Sequence, residues 1–240
     1  MHDSSKIIIE FIGLPGSGKT YLSNKLYENL SSNYDHIHLN NISRTKGYFH
    51  LVTRPRYLYY FINLHLSYLG TNKKTIDNLG WILKNAAYHI HARLRYLQNK
   101  GVFIYDESVL HRIWSLSVFN KKDKLNFNYL DKLVNYLAGD ENKLFVLVNI
   151  DADQCINRIV GRSHPTSRFN QMSEENVKKY ISENYPVYEK ITDSIKNSGL
   201  NYLELNGSNR AVNNINLILD YLGFQNENEQ RGQISETSNS

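Results

Sequence analysis

The stretch Lys6–Thr20, KIIIEFIGLPGSGKT, decides how the rest of the chain is read. Ile7 to Ile12 is an apolar run of strand length, interrupted only by Glu10. It leads straight into Gly13-Leu14-Pro15-Gly16-Ser17-Gly18-Lys19-Thr20, which fits G-x-x-x-x-G-K-[ST] without a mismatch, and a helical pattern follows. Gly13, Gly16 and Gly18 open backbone conformations closed to residues with a Cβ, so successive N–H groups can turn inward on phosphate oxygens. A helix starting near Gly18 adds its positive N-terminal end. Lys19 is placed to reach the β- and γ-phosphates, and the Thr20 hydroxyl to ligate Mg²⁺. Residues Gly13 to Thr20, with Tyr21 just beyond, are therefore the expected binding set for a nucleoside triphosphate.

At 240 residues the chain can bury the core of one α/β domain. One cysteine, Cys155, rules out an internal disulfide framework and fits a reducing compartment. MHDSSKIIIEF carries no signal-peptide pattern, and no apolar run approaches the roughly 18 residues of a membrane span. A soluble cytoplasmic protein is expected. The formal charge of +5 suits a protein that clamps triphosphates; the basic residues are scattered, which argues against nucleic acid.

Along the chain, helical spacing over 18–31 places Tyr21, Leu22, Leu26 and Leu30 together, and 35–39 reads as a second strand. This β-loop-α-β start implies a parallel sheet with a right-handed crossover. Residues 41–100 read as helical, with stretches over 54–69 and 73–98, the latter open to interruption at Gly80. Within the aromatic segment RYLYYFINLHLSYL, a single face of Leu58, Phe61, Ile62, Leu66 and Leu69, beside Arg54, Arg56, Lys73 and Lys74, suits peripheral contact with a membrane. Asn63, His65 and Ser67, mixed into it, favour packing on the domain or lining an acceptor pocket.

GVFIYD at 101–106 reads as the third strand, and its acidic end, Asp106-Glu107, falls where a parallel sheet binds ligands. A carboxylate there would sit beside a Mg²⁺-triphosphate. Helices are expected from Ser108 through Val118 and over 126–138, then a buried strand over 143–150. The next helix, 152–161, carries Arg158; Arg162 follows one turn on and Arg168 in a loop, a cluster suited to neutralising a transferring phosphoryl group or an anionic acceptor as a lid closes. A helix over 173–197, kinked at Pro186, a strand over 200–205 and a closing helix over 209–222 complete one domain, 1–224. The tail 225–240 lacks apolar anchors and is expected to be disordered. His36 and His38, and His89 and His91, fit no zinc spacing and are assigned structural roles.

These pieces resemble the P-loop kinases of the nucleoside- and nucleotide-kinase group, which includes thymidylate kinase and the deoxynucleoside kinases. The resemblance rests on GLPGSGKT at 13–20, YDES at 105–108 and DADQCINRIVGR at 151–162 with Arg168. It implies a three-layer α/β fold: a five-stranded parallel sheet with the first strand central, helices on both faces and a helical insertion over about 41–100. It also implies phosphoryl transfer from ATP with Mg²⁺ to a small-molecule acceptor, nucleoside-, nucleotide- or sugar-like. Arg158, Arg162 and Arg168 match the placement of that group's arginine lid, here about 152–172. Asp106 is then either a support for Mg²⁺ or the group that orients the acceptor hydroxyl, with Glu107 the alternate for the second role.

The chain also departs from the group. Thymidylate kinases carry Asp-Arg after the third strand and deoxynucleoside kinases Glu-Arg-Ser, whereas Glu107 stands where that arginine would be and Arg112 is the nearest basic residue. The segment 41–100 matches no nucleotide-binding pattern and is more similar to P-loop proteins found with bacterial surface-polysaccharide genes, which leaves the acceptor open. The rival expectation is an ATP-dependent switch or scaffold acting on a protein partner. A GTPase is disfavoured because Asn142-Lys143 continues as Leu-Phe rather than N-K-x-D.

Overall fold

The computed structural model describes residues 6–39, 44–53, 55, 59, 75–107, 110, 131–132, 134–135, 142–161, 169 and 172–224. Its strands are β1 (Ile7–Gly13), β2 (Ile37–Leu39), β3 (Val102–Tyr105), β4 (Lys143–Asn149) and β5 (Tyr202–Asn206). They pair in the order β2-β3-β1-β4-β5, every pair parallel, so β1 is central as expected. The described helices are α1 (Lys19–Asn33), α2 (Arg44–Thr53), α3 (Thr75–Gln98), α4 (Ala152–Val160), α5 (Glu174–Asn197) and α6 (Ala211–Leu222).

β1 and β4 are nearly continuous apolar runs because helices cover both faces of the sheet. On one face Ile7, Ile9 and Phe11 pack with Leu22, Leu26 and Leu30 of α1 and Ile215, Ile218 and Leu219 of α6. On the other, Ile12, Phe145 and Leu147 meet Ala86, Ala87 and Ile90 of α3 and Val177, Ile181 and Ile191 of α5. The result is the expected three layers. That second face also buries a charge pair across neighbouring strands, with Lys143 Nζ 3.2 Å from Glu10 Oε1. His89 of α3 is buried too; desolvation holds its imidazole well below the usual range, and Lys143 adds to the effect.

Several boundaries differ from the sequence reading. Residues 44–53 form α2, a helix the sequence reading did not separate, and it packs on α3. α3 continues through Gly80, which is exposed and costs the helix only about 1 kcal/mol relative to alanine. α5 likewise runs through Pro186 as one element, and its start is capped by the Ser173 hydroxyl, which accepts from the Asn176 N–H at 3.3 Å. On α1 the buried stripe is Leu22, Leu26 and Leu30, while Tyr21 falls off it and is 59% exposed.

Most of the predicted helices over 54–69, 108–118 and 126–138, together with Arg112, Arg162, Arg168 and the tail, lie outside the described residues. Among the described residues, no helix is long and apolar enough to cross a membrane. The parallel order has one consequence for function. The loops after β1, β3, β4 and β5 all open on the same edge of the sheet, at the carboxyl ends of the strands.

Candidate active site

The loop after β1 has the conformation its sequence demands. Gly16 and Gly18 both take positive φ, 88° and 98°, and Gly18 is the N-cap residue of α1. Gly16 also lies against α4: a Cβ there would come 2.6 Å from the Cys155 carbonyl oxygen. Lys19 is buried, and its Nζ donates to the Leu14 carbonyl at 3.0 Å, so the ammonium is folded back over its own loop. Ser17 is fully buried and turned into the protein.

β3 pairs directly with β1, which brings its acidic end to the start of α1. Asp106 accepts a hydrogen bond from the Thr20 hydroxyl and feels the Lys19 charge. Partial burial raises the Asp106 carboxyl above the usual carboxylate range; the Thr20 hydrogen bond opposes that, Glu107 adds to the rise, and Lys19 opposes it. Glu107 is exposed, and its backbone carbonyl accepts from the Tyr88 hydroxyl of α3 at 2.6 Å, tying this turn to the helical segment. The Asp106 carboxylate, distant in the chain, thus meets the neighbouring Lys19 ammonium and Thr20 hydroxyl at the mouth of the loop.

A cleft of about 450 Å³ extends sideways from this loop. Gly16, Ser17, Gly18 and Tyr21 form one wall, Arg158 and Gly161 another, and Gly207, Asn209, Ala211 and Asn214 the third. Arg158 crosses between walls: its Nη2 donates to the Gly207 carbonyl at 3.1 Å, and its Nη1 lies 3.9 Å from where a Cβ on Gly18 would sit. Of the three arginines singled out from the sequence, Arg158 is the one among the described residues, and it lines the cleft. Gly207 passes so close over the loop that a Cβ on it would be 2.8 Å from the Ser17 carbonyl oxygen.

The third wall was not read as functional from the sequence. In the sequence, residues 206–208 are simply the gap between the last strand and the closing helix, and Asn209, Ala211 and Asn214 belong to that helix. The available signal was topological, since the loop after β5 must open on the same edge as the phosphate loop once every strand is parallel.

The donor set also bears on a metal. Among the described residues, no three His, Cys, Asp or Glu side chains gather to hold an ion. Thr20 and Asp106 alone are a poor cage for a cation that binds without substrate. They suit Mg²⁺, which takes one or two protein oxygens and completes its shell with waters and phosphate oxygens.

No family model matches the chain, and no curated protein is significantly similar to it. Solved structures are similar. With deoxyadenosine kinase from M. mycoides bound to dATP, the chain shares 16% identity at a TM-score of 0.51, covering 90% of this chain and 98% of that one. The same enzyme with products dCMP and a flexible dCDP gives 14% identity and a TM-score of 0.52 over the same shares. The fold is the three-layer P-loop α/β fold. The glycine-rich loop after β1, the β3 turn and the cleft beside α4 occupy one edge of that fold.

Proposed function

We propose that this protein is a Mg²⁺-dependent kinase that transfers the γ-phosphoryl group of ATP to a hydroxyl of a small, nucleoside-like acceptor. The observation that carries the reading is the convergence of the Thr20 hydroxyl, the Asp106 carboxylate and the Lys19 ammonium at the mouth of the phosphate loop.

In this reading the backbone amides of residues 13–20 and the N-terminal end of α1 hold the phosphates, and Lys19 turns from Leu14 onto the β- and γ-phosphates. Thr20 and Asp106 would hold Mg²⁺, which supplies charge neutralisation across the β- and γ-phosphate oxygens. The base lies in the lateral cleft, between the Tyr21 ring and the Arg158 guanidinium. Arg162 and Arg168 remain the proposed lid residues that neutralise the transferring group. The acceptor oxygen forms its bond to the γ-phosphorus as the bond to the bridging oxygen breaks, and ADP leaves. Glu107, exposed and held by Tyr88 through its backbone, takes the hydroxyl proton, which leaves Asp106 to the metal. Most of the rate enhancement comes from alignment and electrostatics, so no covalent nucleophile is required.

A hydroxyl acceptor is favoured over a phosphorylated one because Asp106 and Glu107 put two adjacent carboxylates at the acceptor edge, and an incoming dianion would be repelled by both. The structural likeness to deoxyadenosine kinase adds support for a nucleoside. The test is ADP release from Mg²⁺-ATP across deoxynucleosides, nucleoside monophosphates, sugars and sugar alcohols, with Lys19→Ala as the blank. Stimulation by a nucleoside, lost by orders of magnitude in Lys19→Ala, is the expected result. Turnover that ignores every acceptor would overturn the kinase reading in favour of an ATP-dependent switch acting on a protein partner, and full activity in Lys19→Ala would overturn both.

A further inference from the structure

We propose that the outward face of α2, with Phe49 and Val52 at its centre, lies on the surface of an anionic lipid bilayer. The inference stands apart from the nucleotide reading and uses a different part of the molecule.

The packing of α2 on α3 fixes which face it turns outward. Gly47 and Leu51, four residues apart, share the inner face. A Cβ on Gly47 would collide with the Ala87 carbonyl oxygen, and Leu51 is buried in the core that holds Ala86, Ala87 and Ile90. His50 stacks on His91 of α3, with ring centroids 5.9 Å apart. With those residues turned inward, helical spacing directs the remaining apolar side chains out of the protein. Phe49 is 66% exposed, Val52 80% and Tyr48 41%. Large apolar side chains gathered on one exposed helix face mark a contact surface. Thr53, beside them, already spends its hydroxyl within the helix, on the Phe49 and His50 carbonyls at 3.2 Å, so it can leave water at little cost.

Charge identifies what covers this face. The chain has 23 acidic residues, and none falls between Asp35 and Asp77. That interval carries Arg44, Lys46, Arg54, Arg56, Lys73 and Lys74. Lys46 is exposed and stands three residues before Phe49, on the rim of the apolar face. Apolar side chains bordered by cations compose a helix that lies in a membrane interface. The apolar groups enter the boundary between headgroups and acyl chains, and the cations are drawn to anionic headgroups. A second copy of the chain fits poorly. Two such faces would bring like charges together, and Tyr48, Phe49 and Val52 fall far short of the roughly 800 Å² per partner that a stable dimer buries. Nucleic acid is less suited too, because Val52 offers no ring on which a base can stack.

Co-sedimentation of the full chain with vesicles of phosphatidylcholine alone, or containing roughly one-third phosphatidylserine, tests this at ~0.1 M salt. The wild type is expected to partition about tenfold or more strongly onto the anionic vesicles, and to come off them as salt rises. Phe49→Ser/Val52→Ser should lower that partition about tenfold or more, through loss of the inserted side chains. Its thermal melt should match that of the wild type, since both side chains are exposed in the free protein. Lys46→Glu should weaken binding about fivefold or more. Equal partition onto the two kinds of vesicle, or onto neither, overturns the inference. So does a Phe49→Ser/Val52→Ser variant that binds as well as the wild type, because general attraction to negative charge would then suffice. A dimer seen by light scattering and split by the same variant would give the face to a second copy instead. The comparison of vesicles needs no substitution, so it decides the matter even where a variant does not fold.

Discussion

Gly16→Ala and Gly18→Ala separate backbone strain from collision within one loop. Both glycines have positive φ, 88° and 98°. Either substitution therefore holds alanine in the left-handed half of backbone space, at about 1–2 kcal/mol. At Gly18 the new methyl meets only Arg158 Nη1, at 3.9 Å, so this conformational part is the whole effect. At Gly16 it would stand 2.6 Å from the Cys155 carbonyl oxygen and 3.2 Å from Cys155 Cα and Ile159 Cγ1.

Those atoms belong to α4, which is seated through the buried Cys155, Ile156 and Ile159, so the helix has to retreat from the sheet. Overpacking of this kind adds about 1–3 kcal/mol, for about 2–5 kcal/mol at Gly16 in all. In a domain of this size each kcal/mol moves the melting midpoint by about 2–4 °C. The expected losses are thus about 2–8 °C for Gly18→Ala and about 4–20 °C for Gly16→Ala. Circular dichroism melts of the nucleotide-free proteins in one buffer measure the difference. A loss in Gly18→Ala equal to or larger than that in Gly16→Ala would refute the argument from the α4 contact.

Two further substitutions follow from the same edge of the sheet. The Asp106 carboxyl is raised above its ordinary 3.8 by burial, so the folded protein binds this proton more tightly than the unfolded chain does. The resulting stability is present at low pH and is lost as pH rises through the interval between 3.8 and the raised value. Asp106→Asn should therefore be more stable than the wild type near neutrality in chemical denaturation without nucleotide. That gain should vanish below 3.8, and phosphoryl transfer should be lost at every pH. A variant less stable than the wild type at neutral pH would contradict the burial argument. Ser17 is fully buried, and its hydroxyl has no partner among the described residues. Ser17→Ala is expected to gain about 1 kcal/mol, or about 2–4 °C in a thermal melt, and a loss would mean that the hydroxyl is satisfied in solution.

The glycine-rich loop after β1 was legible in the sequence because its geometry is local. Glycines at 13, 16 and 18, a lysine and a hydroxyl at fixed spacing, an apolar strand before and a helical stripe after all act within some fifteen residues. The parallel architecture was legible for a related reason. Strands that read as uninterrupted apolar runs, separated by helical patterns, leave few other ways to cover both faces. The elements that escaped were those whose local signal is weak. α2 carries Gly47 and only a short apolar stripe, and Tyr21 shares the apolar composition of α1 while lying off its buried face.

What tertiary structure decided is which distant groups meet. The sequence by itself determined a glycine-rich strand-to-helix loop and an acidic strand end, but their contact depends on strand order. Asp106 reaches Thr20 because β3 pairs with β1 in parallel register, Ile9 opposite Ile104, and a different neighbour for β1 would have parted them. Arg158 reads from the sequence as one of three lid cations; only the packing of α4 against Gly16 brings it over the cleft to the Gly207 carbonyl. Asn214 carries no sequence signal at all, since what it does is tie α6 to the loop after β5 through a hydrogen bond to the Asn206 carbonyl. Periodicity and motif spacing are encoded along the chain, where neighbouring residues act on each other through the backbone. Burial, hydrogen-bond satisfaction and pKa are set by whatever the fold places alongside, and here that is fixed by the order in which five strands pair.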